Sequence, residues 1–469
     1  MKLVGVAVIL FASLALASTQ TFTTLYNFPG GTNGANPGAG LLLSGGTLYG
    51  TTCNGGSGGS GTVFKVNTDG SGFTVLKNFS PFLNSMVASN SDGGYPEAVM
   101  VLSGSTLYGT TFYGGSSAAG VVFKVNTNGL GFAVVTNFVG LESWNPSAGL
   151  VLSGGTLYGT SDGGGSSANG TVFKVNTDGS GYTILYSFSA PATYLTNSDG
   201  GAPWGGLILS GNTLYGTAAW GGSSANGTVF KVNTDGSGFT VLKTFAGGSD
   251  GANPAAGLLL SDGTLYGTTS ACNSGSSYGT VFKVNTDGSG FTVLKDFSPL
   301  VNYTNSDGAY PYAGLVLSGN TLYGTTEDGG SSGNGTVFQI NTNGSGFTVL
   351  KTFSPLVNNT NSDGAYPDAD LVLSSGTLYG TTSGGGSSGN GTVFSLVLRG
   401  PPLTLIRSGA NAIFTWPTNP SGLTLQCATN LVTSVVWKTN LPAPVVVNGR
   451  NTVTNPITGK QQFFRLISN

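Results

Sequence analysis

One absence sets the chemistry open to this 469-residue chain: it contains no histidine. That excludes Ser-His-Asp and Cys-His nucleophile sites, HExxH metal sites and imidazole acid–base catalysis. Carboxylates, amides, phenols and indoles remain. Paired carboxylates can hydrolyse glycosidic bonds, but the only glutamates, Glu97, Glu142 and Glu327, stand in no motif. The chain therefore reads as a non-enzyme.

The aspartates follow a pattern. Asn-Ser-Asp-Gly-x-x-Pro closes four long segments, 80–96, 189–203, 298–311 and 354–367, and supplies Asp92, Asp199, Asp307 and Asp363; a shorter segment supplies Asp250. An Asx turn leading into a proline accounts for the motif. The sharper alternative is a ring of carboxylates and amides around an opening, able to bind a cation or sugar hydroxyls. Aromatic residues crowd the same segments: Tyr95, Trp144, Trp204, Tyr310 and Tyr366, with Trp220 nearby. Rings stack on the apolar faces of sugars while polar neighbours orient the hydroxyls. Rings that merely cap the ends of sheets would give the same composition.

Two further features carry less. Asn-Thr-Asp-Gly-Ser-Gly, as at 67–72, resembles the start of a calcium loop but lacks the acidic twelfth ligand, where Asn78 stands. A hairpin turn explains it, so no cofactor is expected and calcium is the single candidate. The three cysteines, Cys53, Cys272 and Cys427, are scattered and odd in number, which argues against a disulfide framework.

The elements that must position these groups are repeats. Thr-Leu-Tyr-Gly occurs seven times, with Tyr49, Tyr108, Tyr158, Tyr215, Tyr266, Tyr323 and Tyr379 at spacings of 50 to 59 residues. Each copy belongs to a unit of four short β-type runs, such as GLLLS, TLYGTT, GTVFKVN and FTVLKDF, separated by turn residues. That period with four strands per unit points to propeller blades. The third run occurs seven times, but the fourth follows it only six times; its seventh copy is 22–28, at the other end of the chain. The expected fold is all-β: a seven-bladed propeller closed by the N-terminal strand, followed by a small β-sandwich. An open β-solenoid is the alternative. The tight turns fall on one face and all length variation on the other, so binding belongs to the variable face. The lysines of the third run, Lys65 and its equivalents, read as a solvated outer face.

Charged residues make up 7% of the chain and the net charge is −2, with no basic patch, so nucleic acid is not an expected partner. Lys2, an apolar run over 3–17 and Ala15-Leu16-Ala17 read as a secretory leader, leaving no later membrane span. The expected order is leader 1–17, propeller 18–398, linker 399–402 and a module over 403–469 with Trp416 and Trp437 in its core.

The repeat, with Asp-Gly-x-x-Pro-x-Ala-Gly-Leu, Thr-Leu-Tyr-Gly-Thr-Thr, Gly-Thr-Val-Phe-Lys and Leu-x-x-Phe, resembles the GloVer-type tandem repeat family of exported bacterial proteins. The resemblance covers about residues 20 to 398 and implies export and a repeat architecture, with no assigned reaction. The tail, with Phe-Thr-Trp-Pro and Phe-Phe-Arg-Leu, looks like small C-terminal modules of exported proteins in Verrucomicrobia-type bacteria. The expectation is a secreted or cell-surface monomer that binds a glycan or a cell-surface protein. A structural repeat with no ligand, or a carbohydrate-active enzyme using paired carboxylates, are the competing readings.

Overall fold

A computed structural model describes residues 20–83, 88–140, 142–192, 195–270, 278–398, 404–408, 411–417, 423–428, 438, 441–447, 450–456 and 463–468. The leader expected at 1–17, the linker at 399–402, Cys272 and Trp437 lie outside the described residues. The described chain is all-β, with short 3-10 turns as its only helical elements. None of its helices is long and apolar enough to cross a membrane. Contacts divide the chain into two compact units, one of Phe22–Leu373 with Leu378–Ser395 and one holding Leu396–Asn469.

The repeat unit is an antiparallel four-stranded sheet. In the first, β2 (Leu42–Ser44), β3 (Thr47–Thr52), β4 (Thr62–Asn67) and β5 (Thr74–Asn78) pair in chain order. Five more sheets repeat this plan, from Val101–Ser103 to Ala133–Asn137, Val151–Ser153 to Thr183–Ser187, Ile208–Ser210 to Thr240–Thr244, Leu259–Ser261 to Thr292–Asp296 and Val316–Ser318 to Thr348–Thr352. The seventh joins Val372–Ser374, Thr377–Thr382 and Thr392–Val397 to β1 (Thr21–Asn27), which lies outermost against Thr392–Val397. The Phe28 amide donates to the Gly391 carbonyl at 3.1 Å, just as Phe79 donates to Gly61. Each first strand is shorter than its apolar run, because only the last three residues pair.

Neighbouring sheets touch at three depths. Innermost, the threonine after Tyr-Gly reaches the next sheet: Thr217 donates to the Ala256 carbonyl at 2.8 Å and Thr268 to Ala313 at 2.9 Å. The equivalent bond from the seventh sheet runs to the first, Thr381 to Ala39 at 3.1 Å. In the middle, the repeat tyrosine and phenylalanines pack into shared cores; Tyr49 and Phe79 meet Leu107 and Phe123 of the second sheet. The glycine of Tyr-Gly makes room for this, since a Cβ on Gly50 would stand 2.6 Å from the Phe64 ring. Outermost, a residue of the last strand lies on an aromatic ring of the next sheet. Lys77 covers Phe132, Tyr186 stacks on Phe239 at 3.6 Å, Lys351 covers Phe22, and Tyr26 stacks on Phe73 at 3.7 Å. The third-run lysines are not the solvated face expected. Lys65, Lys174, Lys231 and Lys283 reach turn carbonyls of the following sheet at 3.4 to 3.5 Å.

The C-terminal unit has a four-stranded sheet ordered Thr404–Ser408, Asn411–Pro417, Arg450–Pro456 and Val445–Val447, and a pair formed by Leu423–Ala428 and Phe463–Ser468. Both contribute to a core around Phe414, Trp416, Leu425 and Val453.

Candidate functional site

The motif aspartates are spent inside the protein. Asp92 accepts the Ser80 amide and hydroxyl at 3.2 and 3.0 Å and pairs with Lys77. Asp307 and Asp363 do the same with Ser298 and Lys295, and with Ser354 and Lys351. Asp199 takes the Tyr186 hydroxyl at 2.7 Å in place of a lysine. All four are buried. The Asx-turn reading fits this geometry: Asn90 Oδ1 accepts the Gly93 amide at 2.8 Å and the Gly115 amide at 3.0 Å, tying two loops together. These carboxylates are turned into their own loops, each held through Oδ2 by serine donors and by a strand lysine or, at Asp199, the Tyr186 hydroxyl, while Oδ1 of Asp199 and Asp307 is buried without a hydrogen-bond partner among the described residues.

Tyr95, Tyr310 and Tyr366 hold the residue before the proline, where the backbone is left-handed at φ 53°, 57° and 60°. Asn36, Asn145 and Asn253 fill the same position in other repeats, also at positive φ. Asparagine adopts this conformation readily, whereas a bulky side chain there is strained. The tyrosines stay because each backbone bridges loops: Tyr310 receives Glu327 N–H at its carbonyl and donates to Tyr278. Their rings also pair, Tyr95 with Tyr113 at 5.9 Å and Tyr310 with Tyr278 at 5.7 Å.

Three of the five tryptophans converge. Trp144, Trp204 and Trp220 line one cleft of about 370 Å³ with Asp162, Asn169 and Leu195. Trp144 sits on a two-residue strand paired with Gly163–Gly164. Its indole lies so close that a Cβ on Gly163 would fall 2.1 Å from the ring nitrogen, so only glycine fits there. Trp204 follows Pro203 and donates its indole N–H to Asp162 Oδ1 at 2.7 Å. Trp220 is clamped by paired bonds with Gly201, at 3.0 and 3.1 Å, and leaves 37% of its surface exposed. The Trp204 and Trp220 rings stand 6.1 Å apart at 80°, two walls of a corner. Burial raises the Asp162 pKa, while the indole N–H works against the rise. Sequence reading named the tryptophans but missed Asp162, which occupies a loop position filled elsewhere by Cys53, Phe112, Ala219 and Ser270.

A second cluster lies in the equivalent loops of other sheets. Glu327 holds the Asp162 position and Asp368 the Trp204 position one sheet on. Burial pushes both carboxyls up to about 7, and the Glu327 charge adds to the rise at Asp368. Glu97 is raised by burial as well, and the buried Cys53 thiol is pushed up to about 12. Among the described residues no group of three His, Cys, Asp or Glu side chains is placed to hold a metal ion.

These features define an all-β repeat protein of propeller-like fold. The chain belongs to the Gloeobacter/Verrucomicrobia repeat family, whose repeat matches residues 13–197 and 191–394. No curated protein matches the sequence. Among solved structures it is similar to the oligogalacturonate lyase of Vibrio parahaemolyticus, at 12% identity and TM-score 0.50 over 80% of this chain and 93% of that one. It is also similar to a putative 6-phosphogluconolactonase of Bacteroides uniformis, at 15% identity and TM-score 0.45 over 91% and 99%. At these identities the likeness concerns the fold alone.

Proposed function

We propose that this protein is an exported, non-enzymatic, seven-bladed β-propeller, closed by its N-terminal strand and followed by a small β-sandwich, that binds a saccharide in the tryptophan cleft. The closure reading is supported by the three depths of sheet-to-sheet contact, each of which returns from the seventh sheet to the first. Export is supported by the apolar segment before the first strand and by the family resemblance. The binding reading is carried by one observation: three indoles from loops at one end of the sheets share a cleft with a carboxylate and an amide. Indole faces match the C–H faces of a pyranose, and the cleft has the volume of a small-molecule site. A glycan array probed with the full chain tests it. Saccharide binding that drops ~10-fold or more in Trp144→Ala or Trp204→Ala, with unchanged melting, is the expected outcome. No binding to any sugar would leave a cell-surface protein partner or a structural repeat.

A second reading has its own support. Burial pushes the Glu327 and Asp368 carboxyls up to about 7, and the charge of Glu327 adds to the rise at Asp368, so one of the two can stay protonated as an acid while the other is ionised, the division of roles that paired-carboxylate glycoside hydrolysis needs. Polysaccharide cleavage abolished by Glu327→Gln or Asp368→Asn would establish it; no cleavage of any polysaccharide removes it.

A further inference from the structure

Asp162 differs from the aspartates that precede the blade-opening prolines in what it lacks. Asp92, Asp250, Asp307 and Asp363 each carry a lysine partner, and Asp199 carries the Tyr186 hydroxyl with the Ser189 amide and hydroxyl. Asp162 holds a single indole N–H, and among the described residues no lysine or arginine lines its cleft. A half-buried carboxylate without a counter-charge is costly, and an occupant bringing positive charge recovers that cost. The walls point the same way. Indole faces carry negative quadrupole density, which attracts a cation and repels an anion. The perpendicular Trp204 and Trp220 rings, with Trp144 and the carboxylate, bound a corner in which one ammonium group would meet several indoles and a negative charge. Packing alone does not explain the arrangement, because Trp220 stays more than a third exposed.

We infer that the tryptophan cleft is a cation-selective site that takes a saccharide carrying a protonated amine in preference to neutral or acidic sugars. The inference rests on the saccharide reading above and specifies its substrate class. Asp162 supplies the charge, the three indoles supply ring stacking and cation–π attraction, and Trp204 fixes the carboxylate through its N–H.

The test titrates the full chain with three probes, following tryptophan fluorescence and heat: glucosamine oligomers, their N-acetylated counterparts and oligogalacturonates. Tetramethylammonium serves as a competitor with a fixed charge. The amino oligomer is expected to bind ~10-fold or more tightly than the acetylated one, oligogalacturonate weakest, and tetramethylammonium to compete. Asp162→Asn, which keeps an acceptor for the Trp204 N–H, is expected to erase the preference for the amine. Asp162→Glu is expected to keep it, which separates loss of charge from loss of structure. Equal affinity for amino and acetylated oligomers, or a preference that survives Asp162→Asn, overturns the inference while leaving saccharide binding intact. Quenching by tetramethylammonium that no sugar displaces supports the cation site and overturns the saccharide reading instead.

Discussion

Glu327 and Asp368 show how one loop position can be reused. The pair of sites that holds Asp162 and Trp204 in one place holds two carboxyls in another and Cys53 with Glu97 in a third. With both folded-state values near 7, these carboxyls keep protons that the unfolded chain has already released. The folded state therefore binds more protons between about pH 4 and 7, and its stability falls as pH rises through that interval. Half-burial limits the effect to ~1–3 kcal/mol for the pair. Denaturation followed from about pH 4 to pH 8 should show that loss, and Glu327→Gln with Asp368→Asn should flatten it. An unchanged slope in the double variant would remove the pair as its cause. Little of this was legible beforehand, since the three glutamates share no motif and their environment depends on which loops the sheets bring together.

At the scale of the element, the joint between a last strand and the following turn is one device built from interchangeable parts. Lys295 covers Phe347 at 4.9 Å and pairs with Asp307; Tyr186 stacks on Phe239 and donates to Asp199. Both residues bridge an aromatic ring on the next sheet and a carboxylate on their own loop. Lys295→Ala removes both links and leaves Asp307 buried without its counter-charge, so it should cost ~2–4 kcal/mol in denaturant. Lys295→Tyr rebuilds the joint found at Tyr186 and should stay within ~1 kcal/mol of the parent, which chemical denaturation of the two variants compares directly. The strands and turns of this joint could be read from Phe-Thr-Val-Leu-Lys and Asn-Ser-Asp-Gly. The pairing could not. A bulge in each of the first six repeat sheets, between Val281 and Phe282 here, breaks the two-residue alternation that would have placed the lysine on a face. The same limit hid Asp162, whose partner Trp204 lies 42 residues away on the next sheet.

For the whole repeat unit, the decisive piece is the strand Thr21–Asn27, whose sequence copy was recognisable as the missing fourth run. Phe28 just beyond it is fully buried in a core with Leu41, Leu48, Phe64 and Val393, which joins the first and seventh sheets. Phe22 packs on Phe353 of the sixth sheet and on Phe394 of its own. Losing this strand would uncover those rings and leave Thr392–Val397 with a row of unpaired backbone groups. Such an edge recruits another chain. A chain starting at residue 30 should therefore associate or precipitate, while Phe28→Ala, which keeps the backbone pairing, should stay monomeric and lose ~3–5 kcal/mol. Light scattering on both variants separates the two effects. A peptide spanning 20–29 should return the truncated chain to a monomeric, cooperatively melting form. A truncated chain that is already monomeric and melts like the parent would show that the N-terminal strand is an ornament of the seventh sheet and not the piece that holds first and last together.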